Sequence, residues 1–355
     1  MAFGLFKKKK EKEDSRYQTL SVREVVPIAK DAVNLVFEKP AKFDYKPGQF
    51  ITIIQEVDGK KIRRAYSLCS TPVEDEYPAV TVKRVPQGAM SNYLNEQVKA
   101  GDELQIMEPM GMFTTEYKAD NKRDSVFFGG GSGITPLISI IRTILIKEPE
   151  SKATLVYGNR STEFVIFSEL IQQLQEKYSG RFKALHILEE GEADFNGRPT
   201  REMITEICRT LGCDNQTEFF ICGPQPMMDV TTEGLNALGF PSANIRVESF
   251  EAGKSSPSDK KTDGSGSIVT ILLDGEEHTI TVKKGMSVLD AALKKDMDMP
   301  YSCQSGLCTA CRGKCLEGEI SIDEAEGLSQ EELDEGYVLT CVGKPMTEKV
   351  TVEIG

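Results

Sequence analysis

Four cysteines lie within PYSCQSGLCTACRGKC, at Cys303, Cys308, Cys311 and Cys315, and a further one stands at Cys341. The spacing Cys303-x4-Cys308-x2-Cys311, followed by a distant cysteine, is that of a [2Fe–2S] site. It constrains the whole fold. Two bridged irons need thiolates converging from different directions. A tight loop can supply Cys303, Cys308 and Cys311, and the chain must then bring the last ligand back to them. Ser302, Ser305 and Gly306 suit a loop whose backbone N–H groups turn toward cluster sulfurs. Zinc is the competing occupant. A zinc ribbon wants two separated Cys-x2-Cys knuckles, and only Cys308/Cys311 forms one. For the remaining ligand the spacing takes Cys341, with Cys315 as the rival. Cys315 sits in RGKCLEGEI, which reads as a strand leaving the loop, and is expected to be a packed thiol.

The N-terminus, MAFGLFKKKKEKED, places apolar residues before Lys7–Lys10, the reverse of a signal peptide. Ala2 removes the myristoylation pattern. A cytoplasmic protein is therefore expected. In that compartment clustered cysteines point to metal or redox chemistry rather than a disulfide framework. Residues 1–15 read as a solvated basic tail, the sharper alternative being weak contact of Phe3, Leu5, Phe6 and the lysines with an anionic lipid surface. A net charge of −12 argues against nucleic acid as a main partner. No apolar run approaches the length of a bilayer span. His186 and His278 have no metal-binding pattern around them and read as structural.

Composition shifts sharply once, in EAGKSSPSDKKTDGSGS. These residues, 251–267, lack large apolar side chains and read as a flexible linker. Before them, 16–118 holds short alternating runs separated by turns such as Lys46-Pro47-Gly48 and Asp58-Gly59, the signature of a small antiparallel β-barrel. Residues 119–250 alternate strands (SVFFGG, ATLVYGNR, FKALHILE, EFFICGP) with helices (PLISIIRTIL, FSELIQQLQEKY), the rhythm of an α/β domain on a parallel sheet. Pro136 is expected at the first position of its helix. Residues 268–355 open with a hairpin about Asp274-Gly275, then a helix, then the cysteine loop, an α+β arrangement.

With PYSC, the Cys-x2-Cys and GYVLTC on the page, 268–355 resembles a plant-type [2Fe–2S] ferredoxin, a β-grasp domain. It carries seventeen Asp and Glu against eight Lys and Arg, most densely in DEAEGLSQEELDE. That run is either a solvated face or a surface that steers a basic electron acceptor. RRAYSLCS resembles the flavin-binding motif of the ferredoxin–NADP reductase family. The resemblance implies that Arg64 pairs with a flavin phosphate, Tyr66 lies against the isoalloxazine and Ser67 hydrogen-bonds near N5. VKRVPQGAMSNYLN matches the same family's Gly-x-x-Ser at Gly88 and Ser91, where a helix start holds a pyrophosphate, with Lys83 just upstream. Two phosphate sites favour FAD over FMN.

GGGSGITP lacks the last glycine of a GxGxxG fingerprint, Pro136 standing there. It resembles instead the family's nicotinamide loop, with Gly131 and Gly133 admitting the cofactor and Thr135 beside the nicotinamide. Arg160 and Ser161 in YGNRS fall where the family contacts the adenosine half and could hold a 2′-phosphate, which favours NADPH, with NADH the alternative because NADH-using relatives also carry Arg there. FFICGPQPMM matches the Cys-Gly-x-x-x-Met signature at Cys222, Gly223 and Met227, which puts Cys222 beside nicotinamide C4. Glu248 in VESF resembles the closing acidic-aromatic segment, near Ser67 and Cys222. Cys69, Cys208 and Cys213 fall in no motif.

The order of flavin domain, nicotinamide domain, linker and ferredoxin is similar to that of the reductases of phenylacetyl-CoA epoxidase and ketosteroid hydroxylase. The resemblance implies a reductase taking an electron pair from NAD(P)H onto FAD. Single electrons would then pass through the [2Fe–2S] centre to a separate oxygenase, hydroxylase or desaturase. The alternatives are a stand-alone NAD(P)H diaphorase for small acceptors and, from another class, a non-catalytic iron–sulfur redox sensor.

Overall fold

The computed structural model describes residues 17–250, 266–322 and 325–354. The basic tail and nearly all of the linker read from the sequence lie outside the described residues.

The first sheet is antiparallel. Its strands are β1 (Tyr17–Ala29), β2 (Ala32–Phe37), β3 (Phe50–Val57), β4 (Lys60–Ser67), β5 (Ala79–Lys83) and, after helix α1 (Ala89–Glu96), β6 (Glu103–Met110). They run in the order β4-β3-β6-β1-β2-β5. The two edges meet in the bridge Leu68↔Val80, which curls the sheet into a barrel. β-Branched and aromatic residues fill its interior, with Leu35, Phe37, Ile51, Ile53 and Ile106 fully buried.

The second sheet is parallel throughout. It comprises β7 (Asp124–Gly130), β8 (Lys152–Asn159), β9 (Phe182–Leu188), β10 (Phe195–Asn196), β11 (Glu218–Cys222) and β12 (Ile245–Glu248). Helices α2 (Ile134–Lys147), α3 (Ser168–Lys177), α4 (Arg201–Leu211) and α5 (Gln225–Ala237) connect them. Apolar residues on both sheet faces form separate clusters, as a sheet covered by helices on both sides requires. The strand order β10-β9-β8-β7-β11-β12 reverses direction between β7 and β11. A crevice for ligand opens at such a switch point, beyond the strands' carboxyl ends. α2 begins at Ile134, so Pro136 is its third residue rather than its first. The proline is tolerated because first-turn N–H groups have no intrahelical partner.

The barrel and the parallel domain are clamped together. Arg142 on α2 donates to Asp75 at 2.6 and 2.8 Å and to Glu74 at 2.8 Å. Nearby, the Thr71 and Thr143 hydroxyls are 2.7 Å apart.

The third unit holds β13 (Gly266–Leu273), β14 (Glu276–Lys283), α6 (Val288–Leu293), β15 (Arg312–Glu317), β16 (Ile320–Ser321), α7 (Gln330–Asp334), β17 (Tyr337–Leu339), β18 (Lys344–Pro345) and β19 (Lys349–Ile354). Its main sheet is mixed, ordered β14-β13-β19-β15-β17, with β13 and β19 parallel. β13 takes up Gly266 and Ser267, the end of the stretch read as linker. α7 lies inside the acidic run, started by a capping box between Ser329 and Glu332. Among the described residues no helix is long and apolar enough to cross a membrane.

Candidate functional site

β4 ends where the barrel closes, and its pleat turns alternate residues to opposite faces. The end of the strand, with residues of both faces, opens into a cavity of about 380 Å³ at the boundary with the parallel domain. Arg64, Tyr66, Ser67, Lys83, Gly88, Ser91 and Thr135 all line it, together with Ser132 and Phe250. The structure thus gathers residues from five separate stretches around one space of the size of a cofactor site.

Within it, Ser67 is buried and Arg64 is exposed, its guanidinium bound to the Arg63 carbonyl at 2.7 Å. Burial pushes the Tyr66 hydroxyl well above its usual range, so the ring is an uncharged wall. Lys83 is held below its usual value by burial and by the neighbouring Arg160. Gly88 caps α1 in an extended conformation. The Ser91 hydroxyl is engaged within that turn, accepting from Val85 N at 3.1 Å and donating to Gly88 O at 3.2 Å.

The nicotinamide-loop residues meet across the switch point. Gly131 takes the left-handed conformation at φ +52°. Its carbonyl accepts from the Tyr157 hydroxyl at 2.8 Å. Gly133 lies so close to the end of β11 that an added Cβ would stand 2.0 Å from the Cys222 carbonyl oxygen. Gly130 and Gly223 are similarly pressed together, with Met227 packed on both. Cys222 is fully buried and is the register partner of Glu248. Burial and the Glu248 charge raise its thiol well above the usual range. Arg160 and Ser161 follow β8 and do not themselves line the cavity, but Arg160 lies over the Phe164 ring at 5.2 Å, a ring that Lys83 also approaches at 5.9 Å.

The cysteine loop is seated beside the same cavity. Cys308 Sγ donates to Cys303 Sγ at 3.1 Å, and Ser305 N–H points to Cys303 Sγ at 3.5 Å. The neighbouring Cys303 and Cys311 thiols raise the Cys341 thiol well above its usual range. Thr340, whose N–H and hydroxyl both reach the Cys311 carbonyl, at 3.1 and 3.0 Å, delivers Cys341 there. Cys315 points elsewhere, to the carbonyls of Glu317 and Gly318 at 3.6 Å. Ser305 Oγ is buried without a partner. Cysteine sulfurs gathered in one loop, with the Ser305 N–H directed at Cys303, fit an iron–sulfide cluster.

A second cavity, about 270 Å³, is walled by Ser67 and Arg64 on the barrel side, by Glu248 and Phe250, and by Ser302 and Cys303 on the cysteine side. Glu248 is buried, and burial followed by the nearby Cys303 charge pushes its carboxyl up to about 8. The loop is held in place by contacts that no motif announced. Asp298 pairs with Lys61 and Arg63, both at 2.7 Å. The Thr52 and Ser302 hydroxyls are hydrogen-bonded, and Phe50, Ile54 and Met107 pack with Cys308 and Ala310. Phe250, which lines both cavities, and Arg63 and Asp298, which hold the loop in place, are not singled out by number in the sequence; Phe250 is the aromatic of VESF and Arg63 opens RRAYSLCS, whereas Asp298 carries no signal.

Three family models match the chain: an oxidoreductase FAD-binding domain over residues 19–115, an oxidoreductase NAD-binding domain over 127–233 and a 2Fe-2S iron-sulfur cluster binding domain over 271–346. The chain is 35% identical to the ferredoxin reductase component of 3-ketosteroid-9-alpha-monooxygenase from Rhodococcus rhodochrous, covering 96% of this chain and 97% of that one. It is 34% identical to a component of the 1,2-phenylacetyl-CoA epoxidase of Escherichia coli (strain K12), covering 95% and 97%. In fold it is similar to phthalate dioxygenase reductase, with a TM-score of 0.60, 21% identity, and 96% and 99% of the two chains covered.

Proposed function

The chain belongs to the family of ferredoxin reductase components of oxygenases, and on that premise we propose that it draws electrons from NAD(P)H and delivers them singly to a separate oxygenase, hydroxylase or desaturase. It is an NAD(P)H-dependent oxidoreductase with FAD-binding, NAD-binding and [2Fe–2S] domains. When bound, FAD accepts the paired electrons of the nucleotide and the cluster carries them onward one at a time.

The chain's own residues do the rest. Arg64, Lys83 and the Gly88–Ser91 turn hold the flavin phosphates, and Tyr66 and Ser67 position the ring system. Gly131, Gly133 and Thr135 shape the nicotinamide side, with Cys222, Gly223 and Met227 closing it from β11. Arg160 and Ser161 take the adenosine half. Glu248, protonated below about pH 8, stands between Ser67 and Cys303 as a buried proton store. Cys303, Cys308, Cys311 and Cys341 ligate the irons. The working units are residues 16–118, 119–250 and 268–355. A cytoplasmic location belongs to the same reading.

The observation that carries this reading is the shared wall: Ser67 of the flavin cavity and Cys303 of the cysteine loop line one space. A stand-alone diaphorase has no use for that contact, and a redox sensor has no use for the flavin cavity. Anaerobic stopped-flow mixing with NADH and with NADPH tests it and ranks the two nucleotides. Flavin bleaching should be followed by reduction of the iron in electron paramagnetic resonance. Bleaching with iron that stays ferric refutes the relay.

A further inference from the structure

The seam between barrel and cysteine domain turns on one carboxylate. Lys61 Nζ donates to Asp298 Oδ2 at 2.7 Å, while an Arg63 guanidinium nitrogen stands 2.7 Å from Oδ1. Arg63 is 3% exposed and lies over the Tyr301 ring, 5.3 Å from its centroid. Lys61 and Asp298 side chains are 45% and 56% exposed. The clamp therefore has a buried half and a half open to water and salt. Asp298 also stands next to the segment that leads into the cluster loop, in which Met299, Tyr301 and Ser302 are buried. Fixing Asp298 fixes the approach of Cys303. On the other side, Arg63 alternates along β4 with Ile62, Arg64 and Tyr66, which line the flavin cavity. One short strand thus registers the flavin pocket to the cluster domain.

We propose that Asp298 is a positioning residue: through Lys61 and Arg63 it seats the cysteine loop against the flavin cavity and makes flavin-to-cluster electron transfer sensitive to ionic strength. This deepens the relay reading above and rests on it. Apolar packing of Phe50, Ile54 and Met107 against Cys308 and Ala310 is non-directional. The carboxylate between two cations supplies the direction.

The test uses the full-length protein with its prosthetic groups, as wild type, Asp298→Lys and the charge-swapped Asp298→Lys/Lys61→Asp. Flavin bleaching and cluster reduction are followed separately in stopped flow, and amide hydrogen exchange over residues 50–57 and 103–110 is measured without nucleotide. In Asp298→Lys flavin bleaching is expected unchanged, cluster reduction slower by about tenfold or more, and exchange in both segments faster. The double variant recovers part of the loss. Added salt slows cluster reduction in wild type but not in Asp298→Lys, where it screens the like-charge repulsion with Lys61 and Arg63 instead. Wild-type cluster reduction and exchange in Asp298→Lys overturn the proposal. If wild-type flavin bleaches while its iron stays ferric, the relay reading falls, and the exchange comparison alone then decides whether Asp298 seats the domain.

Discussion

Replacing Gly133 with alanine asks whether space alone dictates the nicotinamide loop. Gly133 has φ −61° and ψ −14°, which any residue adopts, so backbone strain plays no part. The added Cβ would stand 2.0 Å from the Cys222 carbonyl oxygen, 2.4 Å from its carbon and 2.7 Å from Gly223 N. Ordinary contact begins near 3.5 Å, so the two segments must part by roughly 1.5 Å. All three obstacles are backbone, and no side chain can rotate away. β11, which ends at Cys222, and β7, which leads into the Gly133 turn, are register partners up to Gly129 and Cys222. The cost should reach the upper end for overpacking, about 3 kcal/mol. Because Thr135 and Cys222 move apart, kcat/KM for NAD(P)H with ferricyanide as acceptor should fall about a hundredfold. The iron–sulfur absorption should persist. Gly158→Ala is the stability control: its Cβ would meet nothing nearer than 3.7 Å, and it should shift unfolding by under about 0.5 kcal/mol. A Gly133→Ala protein with the stability and kcat/KM of wild type refutes the steric reasoning.

Cys315→Ser should keep the iron–sulfur chromophore and Cys341→Ser should lose it; the reverse pattern in visible spectra makes Cys315 the ligand. The Glu248 carboxyl is raised in the folded chain to about 8 from an ordinary value of 4.5. The folded chain therefore binds the extra proton between those values. Stability falls as pH rises through that window and levels off above about 8. Denaturant titrations of Glu248→Gln should lack that slope, and an unchanged slope assigns it to another group. Arg142→Ala takes the guanidinium partner from Asp75 at the boundary of barrel and parallel domain, while Glu74 keeps Lys177, and should cost about 2 kcal/mol in chemical unfolding.

Much of this site is written locally. The Cys303-x4-Cys308-x2-Cys311 loop, the Arg64–Ser67 strand end, the Gly88 helix start and the glycines before α2 each carry their chemistry within a few residues. Backbone geometry and ligand spacing are short-range properties, so they survive being read along the chain. The β period, the βαβ alternation and the break in composition likewise told the three architectures apart. The cysteine spacing favours Cys341 over Cys315, and in the structure the Cys315 thiol turns to the Glu317 and Gly318 carbonyls.

Contacts between distant segments were decided only by the packed molecule. That Gly133 is held small by the Cys222 carbonyl, and not only by the nucleotide, depends on two strands lying side by side. That Asp298 meets Lys61 and Arg63 depends on how one domain sits upon another. An acidic residue before a cysteine loop and two cations in a barrel strand are unremarkable apart. Burial, register and charge compensation are properties of pairs, and a linear sequence does not say which residues become pairs until the fold has brought them within reach.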